Sequence, residues 1–145
     1  MAAIKALRAS AWTLFAMGVA HLFGHLLGHY QMNNSPDPKI RALVAAMQGF
    51  NVDEFPIRRN ILEIYNGLSI SLAAFAMIAA ALVLISAQAL KDNPEALRRL
   101  VRVYLAGTFV LTVIAVQYFV WPPTVFLLVS FGLAAFSLAR LRKAV

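Results

Sequence analysis

The chain is built from long apolar runs separated by short polar interruptions. No Asp, Glu, Lys or Arg occurs from Ala11 to His29, twenty-seven uncharged residues follow Glu63, and thirty-seven run from Val103 to Ala139. A helix rises about 1.5 Å per residue and a bilayer's hydrocarbon core is about 30 Å thick, so a span needs about 20 apolar residues. The first run fits one span, residues 10–30. The second predicts a long or tilted span over 60–90. The third is too long for one crossing, and Trp121-Pro122-Pro123 divides it into spans over 99–120 and 124–139, joined by a tight hairpin with an interfacial aromatic.

Between the first two spans the pattern changes. Asn33-Asn34-Ser35-Pro36-Asp37-Pro38 breaks the first helix and caps the next. Ile40, Leu43, Val44 and Met47 then recur at i, i+3, i+4 and i+7, with Lys39, Arg41 and Gln48 elsewhere on the wheel. That spacing predicts a short amphipathic interfacial helix over residues 38–48, stopped by Gly49. The fold class expected is all-α: an integral membrane four-helix bundle, one four-span domain over 1–145, with an interfacial helix in its first loop.

Composition agrees with the pattern. The chain is 61% apolar and 13% charged, with a mean hydropathy of +0.74, far from the soluble average. The net charge of +7 does not point to nucleic acid, because the basic residues stand in short clusters beside apolar runs, where they set topology. The absence of cysteine excludes disulfides, thiolate metal sites and cysteine nucleophiles. Lys5 and Arg8 ahead of an apolar stretch imitate a signal peptide, but the run is too long and no small-residue cleavage site ends it. It reads as a retained first span.

Four spans place both termini on one side. Nine Lys and Arg residues fall on that side and four on the other, so the termini are expected in the cytoplasm and the first loop and Trp-Pro-Pro hairpin outside.

The candidate chemistry lies in the first span. His21, His25 and His29, the only histidines, recur every fourth residue and form one stripe with about 6 Å of rise between rings. With the expected topology His29 lies near the outer surface, His25 deeper and His21 near the midplane. Glu63, Asn66, Gln117 and Tyr118 fall in the same leaflet. A carboxylate at membrane depth needs a partner, and His25 is the natural one, giving His25 and Glu63 as a candidate proton-transfer pair. The plainer alternative pairs Glu63 with Arg59 near the interface. His21, His29, Asn66, Gln117 and Tyr118 complete the expected ligand-binding set.

The stripe has other readings. It serves as a polar seam that hydrogen-bonds neighbouring helices, or as a metal site in which His21, His25 and His29 ligate an ion with Glu63 as a further ligand. The Glu general base of metallohydrolase helices is missing, since Leu22 and Leu26 follow the first two histidines. Bis-histidine haem ligation within one chain is excluded because all three rings share a helix face, which leaves single-histidine ligation or haem between two chains. One inward carboxylate is too few for a di-iron site. Tyr65, Ser69 and Ser71 lack a nucleophile elbow. Ser130, Ala134 and Ser137 read as a small-residue packing stripe, and Gly24 and Gly28 as a place where another helix approaches closely, within the chain or in a homo-oligomer.

Gly18-x-x-His21-x-x-Gly24-His25, Asn66-Gly67-Leu68-Ser69-Ile70-Ser71 and the tyrosine-aromatic-Pro-Pro turn resemble an uncharacterised group of small four-span bacterial inner-membrane proteins. The resemblance implies the four-helix fold and that location, without a substrate. A looser likeness to DoxX-type membrane proteins rests on size and helix count. Asn60 and Glu63 also match an Asn-x-x-Glu pair of the membrane-associated eicosanoid and glutathione family, but Arg58 stands where that family has histidine.

The function expected is binding a lipophilic small molecule, with or without transforming it, in an outward-facing polar pocket lidded by the loop helix. The alternatives are a non-catalytic structural or assembly subunit, and a metal- or haem-binding protein. The expected partners are the lipid bilayer, such a small molecule and a second copy of the chain, with no nucleic acid.

Overall fold

The computed structural model describes residues 2–52, 58–118 and 121–142. Five helices and one two-residue strand pair occur in the order α1 (Ala2–Asn33), α2 (Pro38–Gly49), β1 (Asn51–Val52), β2 (Arg59–Asn60), α3 (Ile61–Ala89), α4 (Pro94–Tyr118) and α5 (Trp121–Arg142). The protein is all-α with four helices, α1, α3, α4 and α5, long and apolar enough to cross a membrane. Their outward faces carry large apolar side chains, with Phe75, Ile85 and Val103 at 70%, 67% and 74% exposure. Such surface suits lipid and not water.

α3 falls within its expected span, but α1 and α5 exceed theirs and α4 starts ahead of its own, because residues outside the apolar runs join the helix ends. α1 takes in Lys5 and Arg8 and, at 32 residues, is about 48 Å long. Asn93 caps α4, its Oδ1 accepting from Ala96 N at 3.0 Å, and Pro94 takes the first position, where no N–H is needed. The Trp-Pro-Pro segment forms the first turn of α5, for the same reason: unpaired N–H groups at a helix start tolerate proline. The expected end of span three at Val120 lies outside the described residues, as does Lys143.

The chain divides into two compact units, Met1–Gly18 with Phe75–Val145, and Val19–Ala74. The first is a packed set of four helical segments. Leu7, Ser10, Ala11 and Leu14 of α1, Ala76, Ala80, Val83 and Ala87 of α3, Val101, Tyr104 and Thr108 of α4, and Leu127, Ser130, Ala134 and Ser137 of α5 are all buried. Each set keeps helical spacing, and small or hydroxyl residues dominate it, which lets backbones approach in the manner of membrane helices. The serines tie α1 to α5. Ser10 Oγ donates to Ser130 O at 2.6 Å, Ser130 Oγ to Ser10 O at 3.1 Å, and Ser137 Oγ to Ala3 O at 2.8 Å. Tyr104 Oη stands 3.0 Å from Ser130 Oγ and 3.3 Å from Ser10 Oγ. Thr108 and Thr112 return their hydroxyls to the carbonyls of the preceding turn.

In the second unit, Asp37 caps α2 by accepting from Lys39 N at 2.8 Å, and Val44 is its buried residue. The helix expected in the first loop is therefore present within a residue of its predicted end. β1 and β2 pair antiparallel, Asn51 with Asn60 and Val52 with Arg59, a feature the sequence pattern does not announce. Ile61 N donates to Phe50 O at 3.1 Å, binding the start of α3 to the end of α2.

Candidate functional site

The histidine stripe lies in the second unit, on the last turns of α1 facing the first turns of α3. His21 Nε2 is 3.0 Å from Ser69 Oγ. The His25 ring tilts against Tyr65, with centroids 5.6 Å apart. Pairing 21 with 69 and 25 with 65 makes the two segments antiparallel. Along α1, His25 and His29 stack with centroids 6.3 Å apart. The Nδ2 of Asn33 is 2.9 Å from His29 Nε2. All three histidines are half-buried.

Asn66 stands apart from these satisfied groups. It sits on the inward stripe of α3 with Leu62, Ser69 and Ala73, next to Tyr65 and one turn before Ser69. Its Oδ1 is buried and has no hydrogen-bond partner among the described residues. Buried polar atoms are nearly always paired, and leaving one unpaired costs about 1–3 kcal/mol. The site is thus a row of hydrogen-bonding and aromatic side chains with one unanswered acceptor.

Glu63 lies near the start of a span. It occupies the third position of α3 and is exposed. Glu63 N donates to Asn60 Oδ1 at 2.9 Å and Asn60 N donates to Glu63 Oε2 at 3.1 Å. This reciprocal pair is a capping box. It accounts for the Asn-x-x-Glu spacing by helix geometry. The contacts found for His25 are Tyr65 and His29, and the contact found for Glu63 is Asn60, so the proton-transfer pair is not brought together.

Among the described residues no group of three or more His, Cys, Asp or Glu side chains is placed to hold an ion. The physical reason is the spacing along α1: each imidazole meets a different neighbour instead of a shared centre. Gln117 and Tyr118 belong to the other unit, exposed at the end of α4. The face bearing Gly24 and Gly28 is open, since a Cβ built at either would meet nothing within 4 Å. Among the described residues, no helix makes a close approach at these glycines.

Two features leave no readable mark in the sequence. The Ser10–Tyr104–Ser130 cluster joins residues up to 120 positions apart, and nothing local marks those hydroxyls as meeting. The cleft at the start of α4 is lined by Asn93, Glu95, Arg98, Arg99 and Arg102. Its charge run is plain in the sequence, but only the fold makes it concave.

No protein-family model, curated protein or solved structure matches the chain. The functional reading therefore rests on the residues and their geometry.

Proposed function

We propose that this is a multi-pass membrane protein that binds a lipophilic small molecule beside His25, Tyr65 and Asn66. The observation that carries the reading is the unpartnered Asn66 Oδ1. An acceptor held in a buried position selects a ligand with a hydroxyl or N–H to donate, and the Tyr65 and His25 rings supply flat apolar surface next to it. His21 and His29 support the row through their bonds to Ser69 and Asn33. The reading is one of binding; proton transfer between His25 and Glu63 is not part of it, because Glu63 is engaged by the cap of α3.

The excess of Lys and Arg on the termini side supports a cytoplasmic location for both ends. The motif resemblance supports a bacterial inner membrane. In this orientation the histidine row opens toward the outer leaflet.

A second reading, an assembly subunit or homo-oligomer, is favoured by the open Gly24 and Gly28 face, which a helix from another chain would fill at close range. The two readings separate on one experiment. Protein extracted in mild detergent is analysed for retained small molecules by mass spectrometry, wild type beside Asn66→Leu. The binding reading expects a hydroxyl- or N–H-bearing lipophile retained by the wild type and lost from the variant. The assembly reading expects no such molecule and an oligomer that Gly24→Leu disrupts.

A further inference from the structure

The basic end of the first unit holds a site of different chemistry. Arg98 Nη2 donates to Leu141 O at 3.0 Å, which brings the start of α4 to the end of α5. Ser137 Oγ bonds Ala3 O, which brings the start of α1 to the same end. Lys5, Arg8, Arg140 and Arg142 therefore surround the level at which Arg98, Arg99 and Arg102 line a cleft of about 560 Å³. Among the described residues, the acidic groups of this end are Asp92 and Glu95, and Glu95 is paired with Arg99.

We propose that this cleft binds the phosphate headgroup of an anionic membrane lipid, held by Arg98 and Arg102. The two arginines are four residues apart and so share a face of α4. Arg98 spends one nitrogen on Leu141 O, while its Nε is buried without a hydrogen-bond partner among the described residues. A guanidinium's Nε–H and a terminal N–H form the fork that grips phosphate oxygens. Arg102 is exposed and has no ion pair among the described residues. Arg99 is already neutralised, so it adds less.

Lipid, and not free phosphate, fits the surroundings. Arg102 is the last charge before the apolar run, so the cleft stands at headgroup level. From it Ala106, Phe109, Val113 and Val116, all exposed, continue the Arg102 face down α4 at helical spacing. An acyl chain attached to the headgroup can lie along it.

The test uses the full chain in micelles of a zwitterionic detergent, titrated with short-chain phosphatidylglycerol, phosphatidylcholine of the same chain length, or inorganic phosphate. Binding is read by the shift in thermal unfolding. The expected result is a clear preference for phosphatidylglycerol over both other probes, reduced about fivefold by Arg102→Gln, since a basic residue near an anionic headgroup contributes on that order. Arg98→Gln/Arg102→Gln should reduce it further, and Arg41→Gln on α2 should leave it unchanged. Arg102→Gln is the decisive variant, because Arg98 also bonds Leu141 O and its loss disturbs the α4–α5 contact. Equal binding of the two lipids, or binding unchanged in Arg102→Gln, overturns the proposal. So does inorganic phosphate binding as well as the lipid, which would make the site one for free phosphate. An equal loss in Arg140→Gln would also overturn it, by showing a diffuse basic surface instead of a site.

Discussion

Ser10 and Ser130, on α1 and α5, each donate a hydroxyl proton to the other's backbone carbonyl, at 2.6 and 3.1 Å. Both side chains are fully buried. The exchange holds the two helix backbones close, and Tyr104 completes it from α4. Ser130→Ala should therefore cost about 0.5–1.5 kcal/mol, because Tyr104 Oη loses the nearer of its two partners and Ser10 O its side-chain donor. Ser130→Leu should cost more by forcing the helices apart. Thermal unfolding in detergent checks both, and a neutral Ser130→Ala would mean that the cluster is dispensable.

The capping box of α3 predicts a modest and local effect. Asn60→Ala should destabilise by about 0.5–2 kcal/mol, the usual worth of an N-cap. His25→Ala and Glu63→Gln should be additive to within about 0.5 kcal/mol, because the two groups have separate partners. A larger coupling in the double-mutant cycle would restore a direct His25–Glu63 interaction.

The loop helix should be held by its apolar face. Val44 is buried and Met47 half-buried, so Met47→Asp places a charge on that face and should loosen its docking. Limited proteolysis of the first loop should become faster. Unchanged cleavage would show that the segment was not docked.

Topology is checked by location. A reporter fused after residue 145 should be cytoplasmic, and a label placed within residues 33–51 should react from outside. The reverse pattern would turn the histidine row toward the cytoplasmic leaflet.

The fold is legible in the sequence where one physical factor dominates. Uncharged runs mark the four apolar helices, and the Ile40, Leu43, Val44, Met47 spacing marks α2, whose observed bounds are Pro38–Gly49. Helix ends are less legible. Lys5, Arg8 and Pro94 stop a count of apolar residues but do not stop a helix, because α1 and α4 take them in near their starts. The Asn60–Glu63 pair is legible as spacing, and its bonds show that the spacing marks a helix cap. The stripe Ser130, Ala134, Ser137 is recognisable as packing, and all three are buried. Their partners Ser10, Tyr104 and Ala3 are beyond reach, since long-range pairing leaves no local periodicity. Within the site, the spacing places the three histidines on one face, but it does not show that His21 and His29 are already engaged while Asn66 is not.

The central claim is that Asn66 is kept for a ligand and not for the fold. The most direct test is the stability of Asn66→Leu against wild type, both stripped of bound small molecules and unfolded in the same detergent. If Oδ1 has no partner within the chain, replacing the amide with an apolar group of similar size removes a buried unpaired acceptor. The variant should then be more stable by about 1–3 kcal/mol. A loss of stability of that size would mean that Asn66 already serves the packing of α3, which contradicts the account.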